Sequence, residues 1–403
     1  MLGAFGDPGH AFPTIALGRE LVRRGHDVCI ETWSKWQEDC EREGMRFAAS
    51  PIYEVWPMGE SGLKPYQAAV KASAESAALI RDFDPEAVVA DILTVATSLA
   101  AQREARPWAT LVPHVLPTAE PGFPPYSIGA RYPRTRVGAR MWRGFDPLVR
   151  KGIEEGRVQL NGARARVGLP PLDHVHGGIS RELAIVATFP HLEYPRREWH
   201  PSEHVTGPLM WERPYGDVEL PPGDDPLVLI APSTAQDRDQ RMLTAALEGL
   251  AEEPVRVLAT YNRRPPARSL KVPPNARLVE WVSYARTMPV CDAVVCHAGH
   301  GTLVRALASG VPVVACPAAG DMAENAARVA WAGAGVSLPR RLVTPRGVRL
   351  AVRRLLGDAS YGARARELGE WARLSDGAAN AAELVERLAA GAGAGVAKPA
   401  VRR

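Results

Sequence analysis

The run CDAVVCHAGHGTLVRALASGVPVVACP, from Cys291 to Pro317, sets two apolar segments on either side of a glycine turn and a short helical pattern. Ala293 to Cys296 reads as a buried parallel strand, and it breaks at His297 into a turn with Gly299 and Gly301. Thr302 is placed to cap a helix that carries Leu303, Ala306 and Leu307 on one face and stops at Gly310. A second apolar strand follows, Val311 to Cys316. Strand, glycine turn, helix, strand commits the chain to an α/β architecture with a parallel sheet. In such a turn the backbone N–H groups and the positive helix end converge on one spot, which suits a diphosphate, and His297 and Thr302 add side-chain donors.

At 403 residues the chain is too long for one ordinary core and is most simply two domains. With 46% hydrophobic and 23% charged residues it has a globular composition, and a formal charge of +4 is too small for its length to imply nucleic acid. No basic motif interleaved with aromatics points there either. Cys29, Cys40, Cys291, Cys296 and Cys316 are an odd set with no C-x-x-C pair, which fits a reducing compartment. No signal peptide and no membrane-spanning apolar run is recognised, so the expected location is the cytoplasm.

The first residues, MLGAFGDPGHAFP, give a very short strand and a glycine and proline turn, which suggests a start inside the first strand or an unusually short one. A helix is expected from Thr14 to Arg24, and a strand from Asp27 to Thr32. Gly3, Gly6 and Gly9, with Glu31 at the end of the second strand, imitate a dinucleotide site with an acidic ribose ligand, although Pro8 and His10 stand where a helix should open on pyrophosphate. Further on, PEAVVADILTVATSLAAQ reads as a strand running into a helix, with Asp91 at the carboxyl end, the edge of a parallel sheet where ligands bind. The proline- and aromatic-rich segment from Pro113 to Arg136 is a long loop with a functional composition, and His114, Phe123 and Tyr126 are its candidates for lining an acceptor pocket. Arg134 to Arg157 mixes arginines with Trp142, Phe145 and Leu148. Such a stretch can lie on a membrane surface, but a solvated helix face beside the pocket is the commoner outcome.

Three segments of the second half occur in order: H-x-G-x-G-T from His297, A-L-x-x-G-V-P from Ala306, and D-x-x-x-N-A from Asp321. Together they resemble the donor signature of family 1 nucleotide-sugar glycosyltransferases, specifically those of bacterial natural-product and macrolide type. The resemblance implies a GT-B fold: two facing Rossmann-like domains with a cleft between them, with no cofactor and no metal. It implies an acceptor-binding domain over 1–212, a linker over 213–226, and a nucleotide-sugar domain over 227–389 whose last helix returns to the first domain. Residues 390–403 read as a disordered tail.

The same resemblance assigns His10, in the pattern Gly9-His10-x-x-Pro13, as the base that deprotonates an acceptor hydroxyl, and Asp91 as the carboxylate that orients it. The chemistry supports the pairing, because a neutral imidazole is a base near pH 7 and a buried carboxylate fixes its tautomer. A turn histidine and a helix cap remain the alternatives for these two residues. On the donor side the resemblance implies Ser233, Thr234, His297, Gly299, Gly301 and Thr302 around the diphosphate. It places Trp281 and Val282 at the base, and Asp321 and Met322 at the sugar.

Departures from the family pattern cluster on donor recognition. Arg305 stands where an acid should take the ribose hydroxyls, Ser283 and Tyr284 replace a proline and a glutamine, and Met322 replaces a glutamine beside the sugar. Glu324 is a guess at a recovered ribose contact. A thioether leaves a sugar hydroxyl poorly paired, which favours a deoxysugar carried on thymidine or uridine diphosphate. The expected function is an inverting transfer of that sugar to a small, largely apolar acceptor. A catalytically silent homologue and a nucleotide-sugar epimerase stay open, and the oligomeric state is not readable.

Overall fold

Strands β1 (Leu2–Gly3), β2 (Cys29–Thr32), β3 (Arg46–Ala49), β4 (Val88–Asp91), β5 (Trp108–Val112), β6 (Leu183–Val186) and β7 (Glu203–Val205) form one sheet in the order 3-2-1-4-5-6-7. A second sheet, in the order 10-9-8-11-12-13, contains β8 (Leu227–Ala231), β9 (Arg256–Thr260), β10 (Ala276–Val279), β11 (Ala293–Cys296), β12 (Val313–Ala315) and β13 (Gly335–Ser337). Every pairing in both sheets is parallel. The computed structural model describes residues 1–53, 62–174, 178–233, 239–262, 265 and 269–391. The expectation of two Rossmann-like parallel sheets is borne out.

Central strands are continuous apolar runs because both faces are covered by helices. Leu227 to Ala231 and Ala293 to Cys296 are buried at every position. Over the first sheet lie α1 (Pro8–Arg23), α2 (Gln37–Arg42), α3 (Pro65–Phe83) and α4 (Val95–Arg103), and the long β5–β6 connection carries α5 (Arg136–Arg143) and α6 (Asp146–Arg166). The second sheet is covered by α7 (Arg241–Leu250), α8 (Tyr284–Thr287), α9 (His300–Ala308), α10 (Met322–Trp331), α11 (Pro345–Gly357) and α12 (Ala359–Leu374). The last helix, α13 (Gly377–Ala389), packs on α1, and its Ala381, Ala382, Val385 and Leu388 join the core of the first sheet. Among the described residues no helix is long and apolar enough to cross a membrane.

One hydrophobic core joins the halves, with Val115, Phe189 and Leu192 from the first packing among residues of β8, β11, β12 and α9. A buried ion pair reinforces it. Arg328 on α10 donates to Glu193 at 3.1 Å and to the Leu192 carbonyl at 3.0 Å, bonds Glu324 at 2.8 Å, and lies over the Tyr194 ring. Glu324 Oε1 is thereby committed to the joint between the halves.

Two local expectations also change. Helix α1 begins at Pro8, six residues before Thr14, because proline suits the first helical position and Pro13 is accommodated further along. His10 therefore sits in the first turn of a helix. The dinucleotide alternative fails on packing: Glu31 is buried and accepts from Ser76 at 2.9 Å and Thr97 at 3.0 Å. Burial raises its pKa despite those two hydroxyls. A β-carbon at Gly3 would come within 2.5 Å of Thr97, and one at Gly6 within 2.0 Å of Trp33, so these glycines serve close packing.

Candidate functional site

In each sheet the strand order reverses direction once, between β1 and β4 in the first and between β8 and β11 in the second. The crevice beyond the strand ends at such a point is where open α/β sheets bind ligands. His10 follows β1 and Asp91 ends β4, so they meet at the first crevice. Ser233 follows β8 and His297 follows β11, so they meet at the second.

At the first crevice His10 Nδ1 donates to Asp91 Oδ2 at 2.8 Å, and the other carboxylate oxygen accepts from the Leu93 amide at 2.9 Å. Asp91 thus orients the ring and ties down the loop before α4, but it is not a helix cap, since the cap position of α4 is Thr94. With Nδ1–H committed, Nε2 is the free base. The Asp91 side chain is fully buried and His10 keeps 18% of its side-chain surface. Burial pushes the pKa of His10 down, but the charge and hydrogen bond of Asp91, with Asp321 and Asp7, outweigh it and leave the pKa above its ordinary value.

His114 and Tyr126 come to the same place. The rings of His10 and His114 are 6.4 Å apart, edge to face, and Tyr126 Oη lies 3.2 Å from His114 Nδ1, which donates to the Val115 carbonyl at 2.8 Å. Burial keeps His114 neutral by lowering its pKa, and raises that of Tyr126. Phe123 is elsewhere. It packs edge-on against Tyr132 and Tyr194, with the Arg196 guanidinium over its ring, so within this loop it stabilises the fold.

At the second crevice the turn is built differently from the sequence expectation. The residue in the left-handed region is Ala298, at φ +63°, whereas Gly299 has φ −62°. Gly299 is needed for another reason: a β-carbon there would lie 2.3 Å from His297 Nε2. A β-carbon at Gly301 would touch nothing within 4 Å, so the turn is open in front of it. Thr302 does not cap α9. The cap position is Gly299, which has no side chain to cap with, and Thr302 is the third helical residue. The start of α9 thus presents backbone N–H groups of the kind that suit an anion. His297 Nδ1 lies 3.2 Å from the Ala231 carbonyl, which holds its ring against β8.

The D-x-x-x-N spacing puts Asp321 and Asn325 one helical turn apart. Asn325 Nδ2 donates to the Ala298 carbonyl at 3.1 Å and to Asp321 Oδ2 at 3.3 Å. Asn325 is thus the brace for the strained turn. Asp321 is the acid of the second half whose charge acts on His10, His114 and Tyr126 of the first. Met322 packs against the shared core. The loop carrying Tyr126 reaches α10 directly, since a β-carbon at Gly129 would lie 2.8 Å from Ala323.

Strand β10 ends at Val279, and beyond it Ser283 caps α8 by accepting from the Arg286 amide at 3.3 Å. Trp281 stands in the connecting loop, its ring nearly parallel to that of Tyr284 at 6.3 Å, while the Val282 side chain is core. Ser233 is buried at the end of β8, and Thr234 lies outside the described residues. Arg305 donates to the Trp211 carbonyl at 2.9 Å and approaches Glu212 at 3.8 Å. Glu212 also accepts from Ser283 and from the Ala285 amide.

Two residues were missed from sequence. Glu212 adjoins the linker, with no motif to mark it. His300 is the first residue of α9 and is 8% exposed. Burial, with His114 adding to it, lowers its pKa to about 4, so it is neutral. The second histidine inside H-x-G-H-G-T was its available signal.

Residues 244–390 match the family model for the erythromycin biosynthesis protein CIII-like C-terminal domain. The chain is similar to 4'-demethylrebeccamycin synthase of Lentzea aerocolonigenes, 28% identical over 94% of this chain and 97% of the relative. It is also similar to O-mycaminosyltylonolide 6-deoxyallosyltransferase of Streptomyces fradiae, 29% identical over 95% and 96%. Among solved structures, the glycosyltransferase VinC in complex with dTDP superposes with a TM-score of 0.69, at 19% identity and with 96% of this chain and 98% of that one covered.

Proposed function

We infer that this chain, a GT-B glycosyltransferase whose C-terminal half belongs to the erythromycin CIII-like family, moves a sugar from a nucleoside diphosphate to a hydroxyl of a small, largely apolar natural product. The observation that carries this reading is the His10–Asp91 pair at one switch point, facing Asp321, which Asn325 ties to the diphosphate turn at the other.

In the proposed reaction His10 Nε2 takes the acceptor hydroxyl proton as that oxygen attacks the anomeric carbon. The bond from this carbon to the diphosphate oxygen breaks on the opposite face, so the centre inverts. Asp91 stabilises the imidazolium as it forms. The departing diphosphate is met by the start of α9, with His297, Thr302 and Ser233 beside it, and the aligned N–H groups disperse the growing negative charge. Trp281 offers its ring to the base, Asp321 takes sugar hydroxyls, and His114 and Tyr126 line the acceptor side. The reading calls on no metal or cofactor.

Thymidine diphosphate carrying a deoxysugar is the donor class favoured. Met322 leaves one sugar hydroxyl without a partner, which costs about 1–3 kcal/mol when buried, and a deoxysugar avoids that cost. The VinC complex with dTDP and the deoxyallosyltransferase relative support the same choice. The test is a thermal-shift titration with TDP, UDP and GDP. Native-state binding of TDP at 100 times its dissociation constant adds about 2.7 kcal/mol and raises Tm accordingly. No shift with any of the three at millimolar concentration would overturn the donor assignment.

A further inference from the structure

Helix α5, with the sequence RVGARMWR, buries none of its residues. Its apolar and basic positions separate cleanly. Val137 and Met141 are one turn apart, and so are Arg136 and Arg140, with Arg143 a further turn along. On a globular protein such a helix turns its apolar stripe to the core. Here the stripe faces outward: Val137 is 79% and Met141 56% exposed, and the surface continues through Phe145 and Leu148, 44% and 68% exposed, at the start of α6. Trp142 and Phe145 lie 5.5 Å apart within it. The sequence expectation of an ordinary solvated face accounts for exposed arginines but leaves the exposed apolar stripe unexplained.

Charge narrows what can cover this stripe. Between residues 131 and 150 there are six arginines, all exposed, and one acid, Asp146, a net of +5. Asp146 faces the Gly122 amide, and among the described residues none of the six arginines forms an ion pair. A second copy docked face to face would set +5 against +5. An apolar stripe with an aromatic pair, on a helix clear of the core and flanked by arginines, matches the way amphipathic helices lie in the headgroup layer. Their apolar side chains enter the bilayer and their guanidinium groups reach anionic lipids.

We propose that α5 and the first turn of α6 form a docking surface for an anionic lipid bilayer. The surface continues directly from the loop that carries His114 and Tyr126. An apolar molecule dissolved in the bilayer would therefore be delivered beside the cleft, whatever its identity. The assignment rests on exposure and charge, and it stands independently of the donor and acceptor assignments.

The experiment is flotation of the full chain with vesicles of phosphatidylcholine alone or mixed with phosphatidylglycerol. The protein is expected to float with the mixed vesicles and not the neutral ones, and rising salt should weaken binding. Arg140→Gln and Arg143→Gln should each weaken it about fivefold, and Met141→Asp at least as much, with Tm unchanged because these side chains are exposed. Absence of binding to the mixed vesicles, or Met141→Asp binding as the parent does with both arginine variants also unchanged, overturns the proposal. So does a concentration-dependent dimer that Met141→Asp dissociates, which would make the face an interface between copies. Were Met141→Asp to lower Tm, the two arginine variants would decide.

Discussion

The two crevices solve different problems with the same topology. In the proposed reaction the chemistry at β1/β4 is carried by side chains: an imidazole on the first turn of a helix and a buried carboxylate at a strand end, 2.8 Å apart. At β8/β11 it is carried by the backbone, in a turn where Ala298 takes a left-handed conformation, Gly299 clears the His297 ring, and the start of α9 is left uncapped. A group that must change its charge during a reaction has to be a side chain with a tunable pKa. A group that must receive a fixed charge is better made of amides that do not titrate and need not reorganise. The difference implies that mutations in the two crevices will fail in different ways.

The largest effect should come from His10→Ala, which removes the base and is expected to lower kcat about 10²- to 10⁴-fold while TDP affinity, read by titration, stays as it is. Equal losses in turnover and TDP binding would mean that the crevices are not separable. Gly299→Ala should do the reverse. A methyl group cannot sit 2.3 Å from the His297 ring, so the ring or the turn must shift. Overpacking of this kind costs about 1–3 kcal/mol, which should appear mainly as weaker TDP binding, and an unchanged dissociation constant would place the diphosphate elsewhere.

The smallest and most specific effect is a displacement on the pH axis. His10 has its pKa raised, so kcat/KM should fall as pH drops through a value above about 6.5. In Asp91→Asn burial loses its main opponent, and the acid limb should move to lower pH, with a lower plateau because the imidazolium is no longer stabilised. A pH profile in Asp91→Asn superimposable on the parent's would remove Asp91 from its orienting role. Linkage carries the same sign into stability. A raised folded pKa stabilises the protein fully below the unfolded value, and that contribution is lost as pH rises through the folded one.

What could be read in advance follows the range of the interactions. Ala293 to Cys296 was bounded correctly from its apolar run, because a strand covered on both faces is a local pattern. His10 and Asp91 are 81 residues apart, and only the family resemblance suggested that they meet. The start of α1 was misplaced, since Gly9 and Pro13 look like helix breakers until packing against the sheet overrides propensity. Phe123 and Tyr126 lie three residues apart in one loop and were indistinguishable by composition, yet one turns to the cleft and the other into an aromatic cluster.

By itself the sequence determined two parallel sheets, the turn at His297 and the residue types of the His10 and Asp91 pair, because strand periodicity, glycine spacing and signature motifs are local or in fixed register. Only the tertiary structure decided that Ala298 carries the strained turn and Asn325 braces it. It also placed Glu324 with Arg328 in the joint between the halves, Glu212 beside Arg305, and the apolar stripe of α5 on the outside. Each depends on which distant backbone arrives next to a side chain, and burial and partners exist only once the chain has closed on itself.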